Sequence, residues 1–261
     1  MSLDRYLQRV KREIGFSHNF LTVIAMLSMF LDHVALTLIK NGKLYGFDIN
    51  LYNNAIMLED AKFWMILYKI MRVIGRLSFP IFAFLLVEGF RKTSNLFKYF
   101  LRILLLALIS EIPYDFMVFN EFLTFRCLEI QNVVFTYVVA LLMLTCIRLS
   151  SGLPSLLSVF IAALAAALAK LMRTDYAIEG ILLIYIFYIF RNDLNIKCIL
   201  ALIITFMMSL EHYYGTAVFS VFFIYFYDGK KGYVDIGRVA YFFYPLHMLL
   251  LYGILFFTYW K

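Results

Sequence analysis

The sequence predicts an all-α protein that crosses a membrane several times. Hydrophobic residues make up 64% of its 261 residues and charged residues only 16%, a balance far from that of a soluble domain. The apolar runs are long and unbroken, whereas a membrane β-barrel would show short segments of alternating polarity. Its 28 Phe and 19 Tyr suit a surface that faces lipid and the lipid–water interface. We therefore expect a polytopic integral membrane protein with about nine transmembrane helices, within a range of eight to ten.

The chain divides into a basic cytoplasmic N-terminal segment, 1–18, and a single transmembrane domain, 19–261. The first predicted span covers about 19–40 and the second about 63–90. The second span exceeds the ~20 residues that a straight spanning helix needs, so we expect it to tilt or break near 75–80. The other seven predicted spans are 99–119, 131–149, 154–172, 176–190, 196–210, 216–227 and 238–259.

The distribution of basic residues predicts the topology. With nine spans and the N-terminus inside, the cytoplasmic segments carry about twice as many Lys and Arg residues as the outer ones. We therefore place the N-terminus in the cytoplasm, and attribute the net charge of +7 to this topology rather than to nucleic-acid binding. The three cysteines form no close-spaced metal motif, so we expect packing residues and no metal site.

Three cations of the second predicted span, Lys69, Arg72 and Arg76, are spaced i, i+3 and i+7 and share one helical face. Charges at membrane depth normally face the bundle interior or a wet cavity. The three cations either balance carboxylates of other spans or bind an anionic ligand that enters from the cytoplasm. Arg76 lies beside the predicted helix break, where freed backbone groups offer further hydrogen bonds.

Asp32 and His33 are adjacent in the middle of the first predicted span. Neighbouring helical residues point about 100° apart, so each side chain needs a partner from another helix. They either clamp helices together or supply a base, because a histidine with a pKa near ~6.5 is neutral at working pH. His247 follows Pro245 in the last predicted span, and is either a satisfied core group or a functional one.

Polar residues of the middle spans also have two interpretations each. Glu111 and Asp115 are spaced i, i+4, so both can face one cavity, either in ion pairs with the second span or holding an acceptor. Asn132 either caps the fourth span or donates to a substrate, and Asp175 either caps the sixth span or acts as a catalytic or substrate-binding group. Glu88, together with Arg91 and Lys92, forms a cluster at the inner end of the second span, which is either a snorkelling interfacial group or a site.

No phosphate-binding loop, zinc spacing, nucleophile elbow or dinucleotide fingerprint is present, so these residues alone do not name a reaction. Several motifs in order resemble the TraX family of membrane acetyltransferases, over about 20–258. They are SMFLDH at 28–33, GRLSFPIF at 75–82, EG at 88–89, ISEIPYD at 109–115, QNV at 131–133, TDY at 174–176 and YPLH at 244–247. The chain is also distantly similar to acyltransferase-3 proteins and to heparan glucosaminide acetyltransferase, where an early helix carries a catalytic histidine.

The resemblance implies an acetyltransferase of the bacterial inner membrane, with acetyl-CoA as the donor substrate. The implied acceptor is an amine or hydroxyl of a peptide, a pilin-like protein or a glycan. His33 is the implied general base, with His247 as second candidate, while Asp32 orients a neighbour or the acceptor and Arg76 stabilises the developing oxyanion. The implied donor-binding residues are Arg72, Arg76, Arg91, Lys92, Lys98 and Arg102. The implied substrate-binding residues are Glu88, Glu111, Asp115, Asn132, Asp175 and Tyr176.

One departure is that Ala177 follows Asp175-Tyr176 where the family tends to have glycine, which weakens a substrate role for this turn. The rival interpretation is a proton-coupled transporter that uses Asp32, His33, Glu111 and His247 as a relay. The absence of a visible inverted repeat argues against it. N- versus O-acetylation, direct transfer versus an acyl-enzyme, and the oligomeric state stay open.

Overall fold

The described residues form helices joined by turns and loops, with no β-strand among them. The structure, a computed structural model, describes residues 15–121, 124–150, 155–233 and 236–259, apart from the side chain of His212. Within these ranges two isolated β-bridges, 16 with 227 and 131 with 174, are the only extended pairings. The all-α prediction is confirmed. The predicted N-terminal segment 1–18 lies outside the described residues except at its last four positions.

The first helix, α1, begins at His18, where the Ser17 hydroxyl accepts a hydrogen bond from the Phe20 N–H at 3.2 Å. It covers His18–Val34 and continues as a π-helix, Ala35–Lys43. A short helix that was not predicted from the sequence, α2, follows at Ile49–Ala55. The next helices are α3 Ala61–Gly75, α4 Ser78–Lys92, α5 Leu96–Phe119, α6 Val133–Leu149, α7 Ser155–Leu171, α8 Ala177–Ile189, α9 Leu194–Tyr213, α10 Phe219–Tyr225 and α11 Gly237–Tyr259.

The predicted second span breaks between α3 and α4, as expected from its length. The N–H of Arg76 donates to the Val73 carbonyl at 3.3 Å and that of Leu77 to the Ile74 carbonyl at 3.2 Å, so the last turn tightens. Pro80 is the third residue of α4, where a helix has no intrahelical partner for an N–H. The break places Arg76 at a junction between two helices.

Among the described residues, four helical stretches are long and apolar enough to cross a membrane, rather than the nine that were predicted. They are His18–Lys43, Ala61–Lys92, Leu194–Glu211 and Gly237–Tyr259. Two helices at predicted spans, α6 and α7, have 17 residues each, and α8 has 13. Helix α5 has 24 residues but carries Lys98, Arg102, Glu111 and Asp115. Helices α6, α7 and α8 are therefore too short to count among the four membrane-crossing candidates, and α5 carries too many charged residues.

Helix α4 lies at the centre of the bundle. Ten of its 15 residues are buried, whereas only Ala61 and Gly75 are buried in α3. A helix that is apolar on nearly all sides belongs in a core. It packs against α1, α6, α8 and α10. Its face toward α1 forms one wall of a long cavity.

Candidate active site in a long internal cavity

A cavity of about 480 Å³ runs between α1, α4, α5 and α11. At one end its wall contains His18, Tyr99 and Tyr241, and at the other His33 and Arg76. His18 and His33 are 15 positions apart on α1, which corresponds to about 22 Å at the helical rise of 1.5 Å per residue. The wall between the ends is mostly apolar. Its shape suits a long, flexible ligand with a polar group at each end.

Two histidines from the first and last helices meet at the deep end. His33 Nδ1 lies 2.6 Å from His247 Nε2, and the imidazole rings are parallel with centroids 4.9 Å apart. His247 is 4% exposed, whereas His33 is half-buried and lines the cavity. The sequence predicted that His33 needs a partner from another helix, and that expectation is confirmed.

The hydrogen bonds determine the tautomers of the neutral pair. His247 Nδ1 lies 2.6 Å from the carbonyl oxygen of Phe243, which can only accept, so this nitrogen donates. His247 Nε2 then carries the lone pair and accepts from His33 Nδ1. The remaining nitrogen, His33 Nε2, keeps a lone pair for a proton. This chain of bonds orients a base in the way that a carboxylate orients histidine in a catalytic triad.

Asp32 is held by two arginines of α3 and of the junction that follows it. Its Oδ2 accepts from Arg72 Nη1 at 2.5 Å, and its Oδ1 accepts from Arg76 Nη2 at 2.7 Å. The side chain of each of the three residues is less than one fifth exposed. Charge-assisted bonds of this kind are among the strongest hydrogen bonds in proteins. Asp32 was predicted to orient a neighbour or the acceptor. Its two bonds order the neighbouring arginines, and the role toward the acceptor stays a prediction.

The Arg72–Asp32–Arg76 cluster carries one more positive than negative charge. Arg72 Nε donates to the Tyr213 hydroxyl at 3.1 Å, and the Arg76 guanidinium lies 4.6 Å from the Tyr213 ring. Burial raises the pKa of nearby Asp175, although Arg76 and Arg72 oppose the shift, so its neutral form is favoured relative to an exposed aspartate. The cluster thus leaves positive charge at the deep end of the cavity, where it also acts electrostatically on His33.

Gly75 is required for the close approach of α3 to Asp32. A methyl group at this position would collide with the Asp32 carboxylate, which two arginines hold in place. We expect Gly75→Ala to lower stability by about 1–3 kcal/mol, as overpacking does. Gly253→Ala is the matched control, because a methyl there meets nothing within 4 Å. Thermal unfolding in detergent measures both, and equal midpoints would contradict the packing argument.

Tyr176 reaches the cavity from the turn before α8. Its φ of 57° lies in the left-handed region, which costs a bulky residue about 1–3 kcal/mol and is concentrated at functional sites. Its ring stacks on that of Phe79 at 4.1 Å, and its hydroxyl accepts from Arg76 Nη1 at 2.8 Å. The Asp175 carboxylate accepts from the Tyr176 N–H at 3.0 Å. The structure thus brings both predicted residues of this turn into the cavity wall.

The predicted acidic pair of α5 does not line the cavity. Glu111 accepts hydrogen bonds from the Asn132 side chain and, at 3.1 Å, from its N–H. Asn132 also caps α6 by accepting from the Val134 N–H at 2.9 Å, so its capping role is confirmed. Asp115 is 4% exposed. Of the two interpretations left open for Glu111 and Asp115, ion pairing with the second span is not found among the described residues, because Arg72 and Arg76 bind Asp32.

The predicted inner cluster also lies outside this cavity. Glu88 pairs with Arg91 at 2.9 Å and with Lys92 at 3.3 Å. Glu88 and Arg91 line a second cavity of about 280 Å³ on the opposite face of α4. Lys98 and Arg102 are exposed on the first turns of α5, where the Arg102 guanidinium lies 5.9 Å from the ring of Tyr99. Arg102 thereby adjoins the end of the long cavity that contains Tyr99 and His18, and Lys92 acts electrostatically on His18 at the same end.

Some residues of the site escaped the sequence analysis. His18 belongs to none of the motifs singled out in the sequence, but it lines the cavity. Tyr213, which contacts both arginines, had no motif to signal it. Conversely, Lys69 shares the predicted helical face with Arg72 yet is exposed and does not line the cavity. Helical spacing correctly predicted that Arg72 and Arg76 share a face of α3 that borders the cavity. It did not predict that Lys69, on the same face, lies beyond the end of the cavity wall.

A family model described as TraX protein matches residues 17–255. The chain belongs to the TraX family. Every cavity-lining residue of this TraX family protein, from His18 to Tyr244, falls inside the matched range. The chain is also similar to the probable fimbrial assembly protein FimC, serogroup H1, of Dichelobacter nodosus, with 33% identity over 260 residues. That similarity covers 93% of this chain and 97% of the relative. No solved structure matches the chain.

Proposed function

We propose that this TraX family protein is an acetyltransferase of the bacterial inner membrane. It transfers an acetyl group from cytoplasmic acetyl-CoA to an amine or hydroxyl of an exported acceptor. The observation that carries the proposal is the Phe243–His247–His33 chain of hydrogen bonds beside the Arg72–Asp32–Arg76 cluster. It combines an oriented base with fixed positive charge, which are the two requirements of acyl transfer. The fimbrial relative favours a pilin-like acceptor over a glycan.

The chemistry follows from the position of the free lone pair. His33 Nε2 removes the proton of the acceptor as its nitrogen or oxygen attacks the thioester carbonyl. The new bond to carbon forms, and the carbonyl oxygen becomes negative next to the arginine cluster. When the carbon–sulfur bond breaks, the protonated His33 returns the proton to the departing thiolate. His247 is a positioning residue, because it fixes the tautomer of His33 and shares its positive charge.

The end of the cavity that contains His18 and Tyr99 suits the phosphates of the donor, because exposed cations lie beside it. Lys98 and Arg102 are exposed there, and among the described residues neither forms a salt bridge with a carboxylate. Arg91 and Lys92, in contrast, are already paired with Glu88. We therefore assign the nucleotide end to Lys98 and Arg102 first. The distance of about 22 Å between the two ends of α1 leaves room for the extended arm of the donor.

We expect acetyl-CoA at a hundredfold excess over its Kd to raise the apparent stability by about 2.7 kcal/mol, because it binds only the folded protein. The measurement is thermal unfolding in detergent at increasing acetyl-CoA. Lys98→Ala/Arg102→Ala should reduce the shift, whereas Lys62→Ala/Lys170→Ala, which removes two exposed lysines outside the cavity wall, should retain it. Equal shifts in the two double variants would contradict the assigned nucleotide end.

The decisive test of the function uses purified protein, labelled acetyl-CoA and pilin-like peptides with free or blocked N-termini. Label should enter the free peptides, and mass spectrometry should locate it on the terminal amine. If no acceptor gains label and acetyl-CoA does not stabilise the protein, the proton-coupled transporter becomes the better explanation. Its relay, however, would need Glu111, which is hydrogen-bonded to Asn132 and does not line the cavity.

A further inference from the structure

We propose that Tyr176 is a catalytic residue of the site, and that Arg76 is the residue that positions it. The Tyr176 hydroxyl donates a hydrogen bond to the carbonyl oxygen of the thioester as negative charge develops there. No covalent bond to the tyrosine forms or breaks, and its proton stays on the phenol throughout. This inference rests on the proposed acetyl transfer, and it names the atom that contacts the oxyanion.

The direction of the hydroxyl follows from its partner. Arg76 Nη1 lies 2.8 Å from the Tyr176 oxygen, and a guanidinium can only donate, so the phenol oxygen accepts. The phenol hydrogen must then point elsewhere. Among the described residues no acceptor for it is found, and Tyr176 is part of the cavity wall. A ligand oxygen in the cavity is therefore the available acceptor.

The ring is held rigidly, as an oxyanion donor has to be. Phe79 stacks on it with an interplanar angle of 10°, and the ring of Tyr137 in turn stacks on Phe79 with centroids 5.7 Å apart. Gly180, one turn into α8, leaves no space for even a methyl group between Tyr176, Phe79 and Thr136. The left-handed backbone at Tyr176 fixes the direction in which the side chain leaves the chain. Preorganised donors need no rearrangement when charge develops, which is the basis of their effect.

Each of the three guanidinium nitrogens of Arg76 donates a hydrogen bond to another group of the protein. Its Nε donates to the Arg72 carbonyl at 3.3 Å, its Nη2 to Asp32 at 2.7 Å and its Nη1 to Tyr176. Its positive charge therefore polarises the Tyr176 hydroxyl from a fixed position. A hydroxyl whose oxygen accepts from a cation is a stronger donor, since hydrogen bonds in a chain reinforce one another. The developing charge is thus stabilised by the phenol directly and by Arg76 through it.

The test is steady-state acetyl transfer by Tyr176→Phe, which keeps the ring and its stacking and removes only the hydroxyl. We expect kcat to fall about 10²–10³-fold with little change in KM, the loss typical of one oxyanion donor. Tyr252→Phe is the matched control, because its ring also stacks on a phenylalanine, Phe116, and its hydroxyl also forms a hydrogen bond, while Tyr252 does not line the cavity. We expect Tyr252→Phe to keep the wild-type kcat.

A Tyr176→Phe protein with wild-type kcat would overturn the inference and leave the proposed function intact. Absence of acetyl transfer by the wild type would overturn both. If Tyr176→Phe does not fold, fluorotyrosine at position 176 retains the bond to Arg76 and changes only the acidity of the phenol. The inference then expects kcat to depend on fluorination at 176 and not at 252, and equal insensitivity at both positions would overturn it.

Discussion

His33→Gln is expected to lower kcat for acetyl transfer by about 10²–10⁴-fold, the contribution typical of a general base. The variant removes the lone pair of His33 Nε2, while the amide of Gln can still donate to His247 Nε2. Fold and donor binding should therefore persist, so that the acetyl-CoA stabilisation described above is retained. The measurement is label transfer from acetyl-CoA to a pilin-like peptide by the purified variant, together with His33→Ala.

His18→Gln is the matched control for His33. It lies on the same helix and lines the same cavity, but at the opposite end. We expect it to leave kcat within a few-fold of wild type. The kcat of His247→Gln should lie between those of His33→Gln and His18→Gln, because His247 positions the base without contacting the acceptor. Full acetyl transfer by both His33 variants would refute the assigned base and leave the donor site to be explained separately.

Asp32→Asn is expected to destabilise the fold by about 3–5 kcal/mol. The substitution leaves the guanidinium groups of Arg72 and Arg76 buried without their carboxylate, and an uncompensated buried charge is costly. Thermal or denaturant unfolding in a fixed detergent measures the loss. Asp60→Asn is the matched control, because Asp60 pairs with Lys43 at 3.2 Å while its side chain is 55% exposed. Exposed pairs contribute about 0–1 kcal/mol.

A second-site variant separates charge from packing in the Arg72–Asp32–Arg76 cluster. Replacing one of the two arginines by Met in the Asp32→Asn background removes part of the unpaired charge at similar volume. We expect Arg72→Met to recover part of the lost stability. Arg76→Met should also recover stability, but with loss of acetyl transfer, because it releases Tyr176. No recovery in either double variant would show that the cost of Asp32→Asn is not electrostatic.

The helices were largely predictable, but the membrane spans were not. Apolar run length located α1, the α3–α4 break and α11, because helical pattern and turn signals are local properties. The count of nine spans was wrong because apolar runs of 13 or 17 residues form helices without reaching spanning length. The short α2 was missed because its sequence, rich in Asn, resembles a loop.

The sequence determined which side chains need partners, since a charge or an imidazole in an apolar run must be satisfied wherever the helix packs. The identity of those partners depends on the tertiary structure. His33 forms a hydrogen bond with His247, 214 positions away in the sequence. Arg72 and Arg76 form salt bridges with Asp32 and not with Glu111. Tyr176 has a left-handed backbone conformation that brings its side chain to Arg76. A sequence marks such a conformation by Gly or Asn, so a tyrosine at this position does not predict it. The physical reason is that helical spacing fixes the direction of a side chain on its own helix, whereas helix packing fixes what lies in that direction.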